Sequence, residues 1–343
     1  MEIQIKDLRA ALNKLKPAFS KGDFNGFGNY VFITKRNIYA HNGKLKISAL
    51  FRMKFSDFGD RKVLIIPAKE LLDYISKIKK ETVDITVVND ALLLKSGRNK
   101  IQFSLNMDET KLFENFKVPL EFDNLPADFL TGIKLCDSSV DKEMSNKAIA
   151  HFHIQDNAVR ITDNYRISEY KCATDFPANF ILHREVGKEL LKYPVKQYKI
   201  DEDGTIHFTT EDRTVISSKT VKEEALNVQS FLYMEGGSVL NIPENFGELI
   251  SSSAVFTDEY MKLDKMVEVE IKKSVMYCRS SSDMGSMETS EDIDFSEDIK
   301  FIINPVFVKN IDTITDKITI NKDYNVALFY SDIFRHVMNL QEE

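Results

Sequence analysis

An α+β fold built from three repeated domains is what the sequence predicts. Three observations carry this. The chain has 343 residues and is 43% hydrophobic, more than one core usually organises. An amphipathic helix followed by short alternating strands recurs along it. The strands are separated by Asn-Gly, Ser-Gly and Asp-Gly turns, the signals of antiparallel hairpins. The expected domains are residues 1–118, 119–235 and 236–343, each with two helices on antiparallel sheets.

Residues 6–19 open the first repeat, with Leu8, Ala11, Leu12, Leu15 and Phe19 at helical spacing. Strands are expected at 30–34, 37–40 and 45–51, the last two joined by His41-Asn42-Gly43-Lys44. A strand at 63–66 leads into Pro67, and proline at a first helical position opens a second helix that turns Leu71, Leu72, Ile75 and Ile78 inward. Strands at 82–88, 91–95 and 100–105, with turns at Asn89-Asp90 and Ser96-Gly97, close the unit. The middle third repeats the plan, with helices at 126–140 (Phe129, Leu130, Ile133 and Cys136 inward) and 181–192. Its strands are expected at 148–153, 158–162, 199–200, 205–210 and 214–219. The last third gives helices at 243–253 and 305–314 and strands at 266–271, 274–279, 299–303, 326–330 and 334–338.

Charge is uneven. The net value is −7, yet residues 1–118 hold 22 Lys and Arg against 13 Asp and Glu, while the middle third is 14 against 20 and the last 10 against 20. Phosphate attraction depends on local charge, so an acidic chain with one basic surface can hold nucleic acid. Cys136, Cys172 and Cys278 lie far apart, fitting neither a disulfide framework nor a CxxC metal site, and read as buried small apolar groups. With no 18-residue apolar run and no basic-then-apolar leader, the expectation is a cytoplasmic protein with no membrane partner.

Ile65-Ile66-Pro67-Ala68-Lys69-Glu70-Leu71-Leu72, followed by the run from Leu92 through Lys95-Ser96-Gly97-Arg98 to Leu105, resembles the first domain of the bacterial DNA polymerase III β sliding clamp. Ile161-Thr162-Asp163-Asn164-Tyr165-Arg166-Ile167 is similar to that family's Ala-Thr-Asp-Gly-His-Arg-Leu signature, and Phe301-Ile302-Ile303-Asn304-Pro305-Val306-Phe307-Val308 to its Phe-Asn-x-x-Tyr-Leu helix entry. Order and separation match over the whole chain. Asn164-Tyr165 in place of Gly-His, and Val337-Met338-Asn339-Leu340-Gln341-Glu342-Glu343 in place of Met-Pro-Met-Arg-Leu, point to a divergent member encoded by a phage or plasmid.

The resemblance implies the DNA-clamp fold: a ring of two three-domain chains head to tail, helices lining the hole and sheets outside. Such a homodimer encircles double-stranded DNA without reading sequence, tethers the replicative DNA polymerase and is opened by a clamp-loader ATPase. It is not an enzyme and needs no cofactor or metal. The implied DNA-facing residues are Lys6, Arg9, Lys14, Lys16, Lys21, Lys77, Lys80, Lys134, Arg184, Lys188, Lys192 and Lys196; an ordinary solvated helix face is the alternative for each. The third domain adds little, since Glu244 and Glu248 mark its first helix and Asp312 and Asp316 offset Lys309 and Lys317.

For partner binding, the resemblance implies a pocket that takes a short peptide, walled by Thr162, Tyr165, Arg166 and Ile167, by Leu232 and Tyr233, and by Met338 and Leu340, with Arg166 at the rim. Core packing is the alternative for Ile167 and Leu232. For ring closure it implies that an edge strand bearing Phe103 and Leu105 pairs with Ala254-Val255-Phe256, while Arg98 and Lys100 meet acids of residues 288–298.

Enzyme readings find little in the residues. His151-x-His153 falls on a strand with no third ligand nearby and reads as structural. The loop with Gly22, Gly26 and Gly28 lacks the Gly-Lys-Ser/Thr of a phosphate loop, and the acidic residues 283–298 lack EF-hand spacing and read as a solvated loop. Two rivals stand beside the clamp: an interaction scaffold that binds polymerase or loader without encircling DNA, and a metal-dependent nuclease, which would require clustered carboxylates.

Overall fold

The computed structural model describes residues 2–19, 28–53, 61–88, 90–105, 118–138, 140, 150–257, 264–308, 311 and 313–341. The chain forms two compact units, Met1–Leu125 with Lys192–Thr220 (unit 1) and Pro126–Leu191 with Val221–Glu343 (unit 2).

In chain order the first elements are β1 (Glu2–Gln4), α1 (Ile5–Leu15), β2 (Tyr30–Ile33), β3 (Asn37–His41), β4 (Leu45–Leu50), β5 (Leu64–Pro67), α2 (Ala68–Lys77), β6 (Thr82–Val88), β7 (Ala91–Ser96) and β8 (Asn99–Ser104). Then come β9 (Asp123–Asn124), α3 (Phe129–Ser138), β10 (His151–Gln155), β11 (Ala158–Thr162), β12 (Arg166–Lys171), β13 (Phe180–His183), α4 (Arg184–Leu190), β14 (Val195–Ile200), β15 (Thr205–Thr210) and β16 (Val215–Lys219). After the short α5 (Gln229–Leu232) follow β17 (Ser238–Asn241), α6 (Phe246–Ser253), β18 (Val267–Lys272), β19 (Val275–Ser282), β20 (Gly285–Asp292), β21 (Ile299–Ile303), α7 (Pro305–Val308), β22 (Lys317–Asn321), β23 (Val326–Tyr330) and β24 (Phe334–Asn339). Apart from α5, this order is one motif, β-α-β-β-β, written six times.

Each motif lends its first strand to a neighbouring one. Unit 1 therefore holds a four-stranded sheet, β1-β6-β7-β8, and an eight-stranded sheet, β5-β2-β3-β4-β16-β15-β14-β9; unit 2 holds β20-β19-β18-β21 and β13-β10-β11-β12-β24-β23-β22-β17. Each eight-stranded sheet is two four-stranded halves joined at one seam: β4 with β16, Ser48 opposite Val215, and β12 with β24, Ile167 opposite Val337.

The elements follow from local chemistry. α1 buries Ile5, Leu8, Ala11, Leu12 and Leu15, the stripe expected of an amphipathic helix, and breaks into a 3-10 turn at Lys16–Ala18, where Pro17 cannot donate a helical hydrogen bond. Before β4, Gly43 takes φ +89° and the Asn42 carboxamide oxygen accepts the N–H groups of Lys44 and Leu45, so the hairpin turn is held from its own side chain. α4 lies so close to β10 that a Cβ on Gly187 would fall 2.5 Å from the buried Phe152 ring. Gly187→Ala is therefore expected to destabilise the fold by up to about 2 kcal/mol, overpacking of about 1–3 kcal/mol set against a helix-propensity gain of about 1 kcal/mol. Thermal unfolding of the variant checks this.

Several expectations change. Residues 180–183 form β13, at the edge of the eight-stranded sheet, so the helix expected from 181 starts at Arg184. Pro67 ends β5 and caps α2 from outside. The acidic stretch read as a loop contains β20, paired along its length with β19. Ala254–Phe256 is a 3-10 turn, not a strand. The helix expected over 305–314 is short, Pro305–Val308. Lys21, Gly22, Gly26, Asn89, Lys309, Asp312 and the start of the strand expected at 148 lie outside the described residues. All three cysteines are buried, and burial pushes the Cys172 and Cys278 thiols up to about 12, which leaves them protonated and unreactive.

Candidate peptide site, DNA-facing helices and open sheet edges

The residues expected to wall a peptide pocket divide between two faces of the β12–β24 seam. Residues opposite one another in antiparallel strands share a face, so Thr162, Ile167, Val337 and Leu328 form one row. Leu232, fully buried at the end of α5, and Val228 pack onto that row together with Val326, and half-buried Ile167, Leu226, Tyr233, Met234 and Tyr330 border the cluster. Two positions further along the same face, Glu169 accepts a hydrogen bond from Arg160 Nε at 2.6 Å and another from the Tyr233 hydroxyl. The Tyr233 ring lies between Lys171 Nζ, 4.8 Å from its centroid, and the Arg335 guanidinium at 4.3 Å. Arg335 also donates to the Leu232 carbonyl at 3.0 Å, tying α5 down. Burial, reinforced by the bond to Glu169, raises the Tyr233 phenol above its ordinary range.

Arg166 and Met338 point to the opposite face and are buried. Arg166 is no rim group. Its Nη2 donates to Asp163 Oδ2 at 2.7 Å, and its guanidinium stacks 4.4 Å over Phe307. The other Asp163 oxygen accepts the N–H groups of Tyr165 and Arg166, so Thr162-Asp163-Asn164-Tyr165-Arg166 is a self-bonded turn with Asn164 at φ +74°. Tyr165 remains 38% exposed at its tip, and Leu340 is buried where β24 ends. What can meet a peptide is thus Tyr165 and the half-buried apolar border around Ile167 and Tyr233. The anchoring of Tyr233 by Glu169, Lys171 and Arg335 was missed from sequence; the alternation Ile167, Glu169, Lys171 on a strand was its only signal.

Among the expected DNA-facing residues, Lys6, Lys16, Lys77, Lys80, Lys134, Lys192 and Lys196 are exposed. Others are engaged. Arg9 on α1 donates to the Ile75 and Ile78 carbonyls and closes the C-terminal end of α2; Arg184 on α4 pairs with Asp137 and donates to the Val140 carbonyl past the end of α3. Lys188 stands 3.7 Å from Asp137, and Lys14 pairs with Asp212 at 2.6 Å, an exposed bridge worth little. The α1–α2 and α3–α4 pairs carry these cations, whereas α6 and α7 contain Glu248 and no Lys or Arg.

Of the last strands of the six motifs, β8 in unit 1 and β20 in unit 2 have one neighbour each. Arg98 and Lys100 are exposed at the first, Glu288, Glu291 and Asp292 at the second, where Glu288 also pairs with Arg279 at 2.5 Å. Phe103 and Leu105, expected at an interface, are 5% and 2% exposed and belong to the core of their own unit. Val255 is 67% exposed in its 3-10 turn, and Phe256 covers Gly285 at the start of β20.

Six repeated motifs with this strand exchange match known structures over the full length. A putative DNA polymerase III β subunit from Eubacterium rectale superposes with a TM-score of 0.82, covering 100% of this chain and 99% of that one at 17% identity. This chain has the β sliding-clamp fold. The DNA polymerase sliding clamp of Bacillus subtilis gives the same TM-score, 0.82, at 14% identity, with 100% and 98% of the two chains covered. The Helicobacter pylori β clamp bound to a DNA ligase peptide gives 0.79 at 17% identity, with 100% and 99% covered. No family model and no curated protein matches this clamp-fold chain. Among its described residues, no helix is long and apolar enough to cross a membrane.

Proposed function

We propose that the chain is a DNA sliding clamp of three domains, a non-catalytic cytoplasmic protein that closes as a homodimeric ring around duplex DNA and tethers a DNA polymerase. The observation that carries this reading is the rule its sheets obey. At both internal seams, the last strand of a β2-β3-β4 type half (β4, β12) pairs with the last strand of a β14-β15-β16 type half (β16, β24). The remaining last strands, β20 of the first type and β8 of the second, have no last-strand partner and one open side each. Two copies joined head to tail would pair β8 with β20 twice, continuing the rule and leaving no such edge. Arg98 and Lys100 would face Glu291 and Asp292, with Val255 adding apolar contact. In this reading the strand that pairs with β8 is β20, and the 3-10 turn Ala254–Phe256 lies beside it.

The exposed lysines of α1–α4 support sequence-independent attraction to phosphates, and the border around Ile167 and Tyr233 supports capture of a short peptide from the polymerase or the clamp-loader ATPase. Static light scattering tests the reading: the expected species has twice the 39.4 kDa chain mass and stays on circular DNA but slides off linear DNA. Arg98→Glu with Lys100→Glu is expected to weaken the dimer about tenfold or more and shift the mass toward a monomer. A wild-type monomer that is not retained on circular DNA would sink the ring. The absence of Lys and Arg from α6 and α7 favours a second reading, a scaffold that binds polymerase or loader without encircling DNA, and the same retention assay separates the two.

A further inference from the structure

Unit 1 carries a groove of about 1030 Å³ on the β4–β16 seam, the counterpart of the β12–β24 seam. The two seams align through their left-handed turn residues, Gly43 before β4 and Asn164 before β12. Counting from these, Ser48 and Leu50 correspond to Glu169 and Lys171, and Val215, opposite Ser48, corresponds to Arg335, opposite Glu169. In unit 2 those three residues hold Tyr233 of the chain's own connecting segment. In unit 1 Ser48, Leu50 and Val215 line the groove instead, Leu50 is 41% exposed, and Leu120 of the adjoining segment is 99% exposed. Among the described residues, the place filled by an aromatic ring in one unit is open in the other.

The rim gives the charge of what would fill it. Lys35, Arg36, Arg52 and Arg213 line the groove against a single carboxylate, Glu211. We propose that this groove docks a short acidic peptide segment of a partner protein through an aromatic or large aliphatic anchor seated over Leu50 and Val215, with its carboxylates on the rim cations. An aliphatic floor favours a side-chain anchor over nucleic acid, whose unpaired bases stack on exposed aromatic rings; among the described residues Phe122 is the one aromatic lining residue, and it is half-buried. The inference rests on the clamp reading only for the class of partner, a protein that acts on the same DNA.

The probe is a fluorescein-labelled peptide, Asp-Glu-Phe-Leu-Asp-Glu, titrated by fluorescence anisotropy into the full chain at low salt. The expected result is saturable binding, weakened about tenfold or more both by Arg52→Glu with Arg213→Glu and by Leu50→Asp, and lost at high salt. Absence of binding, or equal binding by all variants, overturns the proposal. So does an oligo-dT strand that displaces the peptide and depends on the same arginines, which would make the groove a nucleic-acid site. Ile167→Asp, at the unit 2 site, reads the two sites apart. Binding retained in Ile167→Asp supports the groove, whereas binding lost there but kept in the arginine variants puts the peptide in unit 2, overturning this inference while leaving the clamp reading intact.

Discussion

Asp163→Ala is expected to lower the stability of unit 2 by about 3–5 kcal/mol, the cost of leaving one partner of a buried ion pair uncompensated. Asp163 and Arg166 side chains are 0% and 3% exposed, and Arg166 cannot turn outward to water because its guanidinium is stacked on Phe307. The same carboxylate accepts the N–H groups of Tyr165 and Arg166, so the substitution also strips the turn that feeds β12 into the seam. Replacing both partners, Asp163→Ala with Arg166→Met, removes the stranded charge and is expected to recover much of the loss. Urea unfolding followed by far-UV circular dichroism measures both. A single-variant loss below about 1 kcal/mol would show that water reaches Arg166 and that the pair is not structural.

That pair marks a boundary of what the sequence discloses. The motif around Asp163 and Arg166 is legible, and so is its position before a strand. Its role is not. Arginine is rarely buried, so Arg166 reads as a rim group, and only the register of β12 against β24 turns it to the other face from Ile167. α1 was legible because Leu8, Ala11, Leu12 and Leu15 recur at helical spacing and are buried, whereas Phe19, expected on the same stripe, lies beyond the helix. The run 180–183 was not, since a short apolar stretch suits a buried strand and a helix alike; it took pairing with β10 to decide. β20 is hidden for another reason. Glycine, serine and acids are poor strand formers, and what sustains them is the neighbouring strand: Arg279 on β19 pairs with Glu288 and, on its other side, with Glu270 of β18. Charge counts found the basic first third, but they could not separate exposed lysines such as Lys77 from Arg9 and Arg184, which are used up in closing helix ends.

Acid is expected to weaken the fold from about pH 6.5 downward, well before its carboxylates titrate, with the buried His153 and His336 as sources. His153 is 3% exposed on β10, and burial, with the neighbouring His151 and Arg160, pushes its imidazole down to about 4. His336, fully buried, bonds Ser168 Oγ through Nδ1 while Nε2 has no partner among the described residues; burial and Arg166 hold it well below its ordinary value. His41 and His207 are lowered by burial too. In each case the unfolded chain takes up a proton that the folded chain refuses, so unfolding gains free energy as pH falls through the unfolded value and the loss is complete at the folded one. For His153 the interval from 6.5 to about 4 amounts to about 3 kcal/mol. Asp203 and Asp212, held low by Lys219 and by Lys14 with Thr210 and Thr214, contribute only further down, and as exposed groups they contribute less. Thermal unfolding between pH 7.5 and 4.5 should therefore show a falling midpoint that is shallower in His153→Gln, which cannot titrate. An unchanged slope in that variant would mean that His153 is protonated as readily in the folded chain as in water, and that β10 is less well sealed than its burial indicates.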